Sequence, residues 1–154
     1  MSWAAVWSGP GFALGMTVEQ GKLVRLEFLP SGTPEIPPAA DAALLKDVFA
    51  QLDAYSRNPR HVFTVPCELR GTAFQQRVWQ ALQTIPPGQP LTYGELARQL
   101  GSAPRAVGQA CGANPLPVIY PCHRVVSASG LGGFMQGAAG SLDIKRWLLQ
   151  HERA

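Results

Sequence analysis

The stretch TYGELARQLGSAPRAVGQACGAN, residues 92–114, limits the possible folds more than any other part of this chain. Thr92 and Glu95 stand at capping-box spacing, where a hydroxyl and a carboxylate satisfy the free amides of a helix start. The pattern predicts a helix from there to Gly101, a residue suited to ending it. A second helical stretch, SAPRAVGQACGAN, follows after a very short turn. Two short helices joined in this way read as a helix-turn-helix. The second is made of Ala, Gly, Val and Cys, so it can lie close against another surface.

The flanking sequence predicts an α+β fold in two parts, 1–68 and 69–154. In the first, residues 12–29 read as two strands with a turn near Glu19–Gly21, and 30–40 as a Pro-rich loop. Leu44, Leu45, Val48, Phe49, Leu52 and Tyr55 recur at helical intervals until Asn58–Pro59. HVFTV (61–65) reads as a further strand. This part is expected to be a small sheet-and-helix scaffold. The second part is mostly helical. Thr72 and Gln75 repeat the capping-box spacing, ahead of Phe74, Val78, Trp79 and Leu82 on one side. IPPGQPL (85–91) reads as a loop, 129–140 as a Gly-rich loop, and SLDIKRWLLQHE as a final helix with Ile144, Trp147 and Leu148 inward.

Three cysteines at irregular spacing argue against a disulfide framework and for a reducing cytoplasm. No apolar run approaches the roughly 20 residues of a membrane helix, and the N-terminus lacks a basic segment and a cleavage site. The net charge of +3 is compatible with a polyanionic partner without requiring one. The first 60 residues contain neither cysteine nor histidine, and His61 and His151 lack a ligand cluster, so no metal and no cofactor is expected.

The chemical signature is NPLPVIYPCHRVV, residues 114–126, with Cys122 next to His123. A thiolate is the nucleophile, and a free thiol with a pKa of about 8.5 needs help to lose its proton. His123 is the evident base. In an extended segment, however, neighbouring side chains point to opposite faces. A direct hydrogen bond is awkward, and a bridging water resolves the difficulty. The histidine would then need an orienting group, with Asp143 and Glu152 as the downstream acids.

The blocks TAFQQRVWQAL (72–82), TYGELA (92–97), RAVGQACGANP (105–115), PCHRVV (121–126) and KRWLLQHE (145–152) resemble the O6-alkylguanine-DNA alkyltransferases, in family order over about half the chain. The resemblance implies a DNA repair protein that flips the damaged base out of the duplex and transfers its alkyl group irreversibly to its own cysteine. It implies Cys122 as acceptor, a proton path through water to His123 and Glu152, and Asn114 tying the turn after the recognition helix to the active-site segment. It further implies Tyr93 beside the target phosphate, where it can protonate the leaving guanine, and Arg105 filling the gap in the base stack. The implied DNA contacts are Thr92, Tyr93, Arg105, Ala106, Gly108, Gln109 and Gly112, made in the minor groove. The implied pocket is Pro117, Val125, Gly133, Phe134 and Met135. Arg124 is expected to hold the fold, and Cys67 and Cys111 to be structural. The loop 130–143 departs from the family pattern: it is longer, and its aromatic comes one place early, so Phe134 or Met135 stands where a tyrosine is usual. The partners expected are double-stranded DNA and its alkylated guanine, with no membrane, and the chain is expected to be a monomer.

Three other readings are open to the residues. A cysteine hydrolase would turn over many times. A lesion-binding relative without transfer would lack the acceptor cysteine, which is present here. A gene regulator would need the Asn, Gln and Arg array of major-groove readout, which the small-residue helix lacks.

Overall fold

The computed structural model describes residues 3–133 and 140–153. The chain is α+β and divides into two compact units, Met1–Leu69 and Arg70–Ala154.

The first unit is a three-stranded antiparallel sheet in the order β1 (Ala5–Ser8), β2 (Ala13–Glu19), β3 (Lys22–Leu29), followed by helix α1 (Ala43–Arg57). Register runs Ala5 to Met16 and Leu14 to Phe28, with a bulge between Thr17 and Val18. The hairpin of β2 and β3 agrees with the pattern of residues 12–29. Strand β1 is an addition. Its Ala5, Val6 and Trp7 are all buried, so it carries no alternation to mark it. Helix α1 buries Leu45, Val48, Leu52 and Tyr55, and the Trp7 indole donates to Asp53 Oδ1 at 2.8 Å.

Residues 61–65 do not form the expected strand. The buried side chain of Gln51 takes over their hydrogen bonding: its Oε1 accepts from Thr64 N at 2.8 Å and lies 3.3 Å from His61 Nε2. Sheet-like pairing starts only at Pro66–Glu68, where Pro66 O accepts from Leu23 N and Glu68 N donates to Leu23 O.

The second unit contains α2 (Ala73–Leu82), β4 (Leu91–Thr92), α3 (Tyr93–Leu100), α4 (Pro104–Gly112), β5 (Val125–Val126) and α5 (Ser141–Arg153). Both capping boxes form, at Thr72–Gln75 and Thr92–Glu95. Helix α4 starts instead with Pro104 in its first turn, where a missing N–H costs nothing. The buried Trp79 of α2 donates to Ala110 O at 2.7 Å, and Arg77 donates to Leu100 O at 3.0 Å, fixing α2 to both helices of the helix-turn-helix.

Strands β4 and β5 form a two-residue parallel ladder, Leu91 to Val125 and Thr92 to Val126. The sequence pattern makes Leu91 part of a loop. Its pairing matters because it sets the start of α3, and hence Tyr93, beside the segment after Cys122. In α5 the inward residues are Ile144, Lys145, Leu148, Leu149 and Glu152. Trp147, expected inside, is only half-buried and stacks on His151, with centroids 4.9 Å apart. No helix among the described residues is long and apolar enough to cross a membrane.

Candidate active site

Cys122, His123 and Arg124 form a single 3-10 turn rather than an extended strand. In a 3-10 turn, neighbouring side chains diverge by about 120°, so the thiol and imidazole still do not face each other. His123 turns its Nε2 to Glu152 Oε2, 2.8 Å away, with both side chains buried. Its Nδ1 is buried with no hydrogen-bond partner among the described residues.

Glu152 is the acid that reaches the site. Asp143 is exposed and pairs with Arg146 at 3.0 Å. Arg124 grips Glu152 with two parallel bonds, Nε to Oε1 and Nη2 to Oε2, both 2.9 Å, and its Nη1 donates to Ile85 O at 2.7 Å. This planar, two-point contact fixes the carboxylate plane. It gives Arg124 the holding role expected of it. The loop before β4 adds a second constraint. Gly88 sits at φ +80°, and a Cβ there would lie 2.9 Å from the Glu152 carbonyl oxygen.

Glu152 accepts from Nε2, so Nε2 carries the ring proton of neutral His123 and Nδ1 presents a lone pair. Burial pushes the His123 pKa down, against the pull of the Glu152 carboxylate. The resting imidazole is neutral and can take a proton.

Cys122 is buried, and its backbone N donates to Tyr120 O at 2.8 Å. Burial pushes its thiol up to about 11; a hydrogen bond from the Asn114 side chain and the charge of Lys145 oppose that rise. At pH 7 the resting sulfur is then held as a thiol. The proton must therefore leave as the reaction proceeds. Asn114, just past the end of α4, binds forward into the segment before Cys122: its Nδ2 donates to Tyr120 O at 2.7 Å and its Oδ1 accepts from Leu116 N at 2.9 Å.

Tyr93, at the start of α3, donates to Gly133 O at 3.2 Å. Burial, with added repulsion from Cys111 and Cys122, pushes its hydroxyl up to about 12. The Gly-rich backbone comes close here: a Cβ on Gly132 would lie 2.8 Å from the Tyr93 ring. Arg105 and Gln109 are exposed on α4, while Ala106, Gly108 and Gly112 are half-buried. Val107 and Ala110 of the same helix are buried. The Thr92 hydroxyl oxygen already accepts from Glu95 N as the helix cap. Pro117 and Val125 are buried, and Gly133 is exposed. Phe134 and Met135 lie outside the described residues.

The sequence pattern leaves Lys145 unmarked. Its side chain is fully buried, and Nζ donates to Val125 O and Gly133 O, both at 2.8 Å. A lysine on an amphipathic helix is ordinarily on the wet side, and only its occurrence on the buried stripe with Ile144 and Leu148 could have given it away.

A helix-turn-helix and a cysteine next to a clamped His–Glu pair, in one unit, define a class of protein that brings thiol chemistry to a duplex. Residues 73–154 match the family model of the 6-O-methylguanine DNA methyltransferase DNA-binding domain. The chain is 42% identical over 142 residues to the methylated-DNA–protein-cysteine methyltransferase of Mycobacterium tuberculosis strain H37Rv, spanning 91% of this chain and 82% of the relative. It is 48% identical over 141 residues to the Mycobacterium leprae protein of the same name, spanning 90% and 82%. Its fold matches the crystal structure of M. tuberculosis O6-methylguanine methyltransferase with a TM-score of 0.81 at 40% identity, covering 96% of this chain and 90% of that one. It also matches M. tuberculosis OGT in complex with DNA, with a TM-score of 0.78 at 40% identity, covering 96% and 91%. The chain belongs to the methylated-DNA–protein-cysteine methyltransferases, the DNA-binding alkyltransferases of DNA repair.

Proposed function

We propose that this chain takes the alkyl group from O6 of guanine in duplex DNA and keeps it on Cys122, once per molecule. One observation carries the reading: the buried Nδ1 of His123, unpartnered among the described residues, beside a cysteine that its ring cannot face directly. Buried polar atoms are almost always paired, by protein or by water. A water bridging Nδ1 and the sulfur satisfies the nitrogen and completes a path from Cys122 to His123, with Glu152 and Arg124 behind it.

The sulfur loses its proton along this path as it attacks the alkyl carbon. The C–S bond forms while the bond to O6 breaks, and the released electron pair makes the guanine carbonyl. The Tyr93 hydroxyl gives the ring its proton, and the proton taken from Cys122 returns through His123 to solvent and Tyr93. The net change is one alkyl group exchanged for one proton. The product is a thioether, which a His–Glu pair with water does not cleave, so the acceptor is consumed.

A base within a duplex cannot reach a thiol as buried as Cys122, so the damaged nucleotide must be flipped out, at a cost of a few kcal/mol. Arg105 is exposed in the first turn of α4 and is suited to fill the vacated stack. The outer side of α4, with Ala106, Gly108, Gln109 and Gly112, is slender enough for the minor groove, and Thr92 and Tyr93 meet the backbone at the start of α3. Pro117, Val125 and Gly133 line the base pocket. All the reacting groups come from one chain, which supports action as a monomer. Three free cysteines support a reducing cytoplasm.

The test is a titration of duplex DNA in excess, carrying O6-methylguanine. One lesion lost per protein, and none with Cys122→Ser, is the expected result. Many lesions lost per protein would replace this reading with a hydrolase, and none lost despite tight lesion binding would leave a damage-recognition protein.

A further inference from the structure

The segment between Asn114 and Cys122 bends at a residue ill suited to bending. Pro115, Pro117 and Pro121 each have φ fixed by the ring. Leu116 and Tyr120, each before a proline, are steered away from the helical region. Only Val118 and Ile119 are left free to reverse the chain. The reversal falls on Val118, whose φ is +73°. Glycine enters that left-handed region freely, and a β-branched residue avoids it. Among the described residues the other non-glycine with positive φ is Gln20. Gln20 lies with Gly21 in the two-residue turn between β2 and β3, where that conformation is usual. Val118 has no such excuse, and its side chain is buried.

Backbone strain of this kind persists only where the surroundings over-determine it, and it gathers at functional sites. Here the surroundings are interlocked turns. Tyr120 N donates to Leu116 O at 2.9 Å and closes the turn Leu116–Tyr120 around Val118. Asn114 spans the same turn, with Leu116 N on its Oδ1 and Tyr120 O on its Nδ2. Pro121 follows as an inverse γ-turn, φ −79° and ψ 73°, in which Cys122 N donates to Tyr120 O at 2.8 Å. Tyr120 O is therefore a shared anchor, and the bend at Val118 sets where it stands.

We propose that Val118 is a positioning residue for the alkyl acceptor: its left-handed bend holds Tyr120 O where that oxygen binds Asn114 Nδ2 and Cys122 N together, and so fixes the backbone that carries the sulfur. This rests on the alkyl-transfer reading above. The closed turn and the buried, branched side chain admit one arrangement. A glycine, with a wider range of φ and no side chain to bury, admits several. The sulfur must meet the alkyl carbon in line with the bond that breaks, and a misplacement of about 1 Å can slow such a step about 10²-fold.

The experiment compares Val118→Gly, which removes both the strain and the side chain, with Val118→Ile, which keeps the branched Cβ. Each is set beside the parent in single-turnover methyl transfer over a range of duplex concentrations, and in amide hydrogen exchange. In Val118→Gly the rate at saturating duplex is expected to fall about tenfold or more, with the half-saturating concentration within about twofold of the parent. The amides of Tyr120 and Cys122 should exchange about tenfold faster or more, while those of Val78 and Trp79 in α2 stay within about twofold. Val118→Ile should keep the parent's rate and exchange to within about threefold. A Val118→Gly rate within about twofold of the parent would overturn the proposal. An equal loss in Val118→Ile would overturn it too, and so would exchange that quickens equally in α2, which leaves a structural role.

A measurement on the parent alone does not depend on the variants folding. Tyr120 and Cys122 lie outside the long helices, yet their amides should exchange within about tenfold of the slow rates of Val78 and Trp79. Exchange at the rate of an open loop would equally overturn the proposal. The exchange data read the turn even if the parent transfers no methyl, so failure of the two readings is told apart.

Discussion

Arg124→Met separates the structural and chemical duties of the Glu152 clamp. In the parent, Glu152 is buried and accepts hydrogen bonds from Arg124 Nε, Arg124 Nη2 and His123 Nε2. Arg124 is itself only 12% exposed. Removing one partner of such a pair leaves an uncompensated buried charge, at a cost of about 3–5 kcal/mol. For a chain of this size each kcal/mol lowers Tm by about 2–4 °C, so a fall of about 6–20 °C is expected. The stranded carboxylate will seek a proton, and His123 is the nearest base. Burial holds His123 neutral in the parent, and the Arg124 charge adds to that effect. Without Arg124 the imidazole takes up a proton at rest and ceases to act as a base. Loss of a general base costs about 10²–10⁴ in rate. The transfer rate at pH 7 should fall in that range and recover partly as pH rises. Neutralising the other partner as well, in Arg124→Met with Glu152→Gln, should regain most of the lost Tm but none of the rate. Thermal melts and single-turnover transfer across pH read both effects. A Tm change under about 2 °C for Arg124→Met, or a double variant no more stable than the single one, would refute the clamp.

Gly88→Ala forces a Cβ to within 2.9 Å of the Glu152 carbonyl at a left-handed φ, and should cost about 1–3 kcal/mol with a slower transfer rate, read by melts and single-turnover kinetics. Burial lowers the pKa of His123, so below about pH 6.5 the unfolded chain binds a proton that the folded chain does not, and stability should fall as pH drops through that value. His123→Asn should flatten that limb of a Tm-against-pH curve. Arg105 is exposed, so Arg105→Ala should leave stability within about 0.5 kcal/mol. It should slow repair of duplex DNA at least tenfold while iodoacetamide labelling of Cys122 is unchanged. Equal loss in both reactions would remove Arg105 from the DNA-dependent step.

Short-range rules made much of this molecule legible. The two capping boxes locate the starts of α2 and α3, because caps depend on residues three positions apart. The adjacent Cys-His pair marks a site from the residues, whereas Glu152 rather than Asp143, and Asn114, come only with the family resemblance; the structure joins His123 to Glu152 and Asn114 to the segment before Cys122. What escaped depends on partners distant in sequence. Strand β1 is buried on both faces and so has no alternation to see. Residues 61–65 have strand composition, but the Gln51 side chain satisfies them before a sheet edge can. The β4–β5 ladder is two residues long and joins positions 34 apart (125 − 91). Lys145 has the composition of a surface residue; only carbonyls from two other segments make its burial tolerable.

The most direct measurement is peptide-mapped mass spectrometry of the protein after reaction with duplex DNA containing O6-methylguanine. Mass gained equal to one methylene, located on Cys122 with Cys67 and Cys111 unmodified, and unguided by any cofactor, is the expected result. Unmodified Cys122 in a sample whose DNA has been repaired, or a methyl group on another residue, would contradict it.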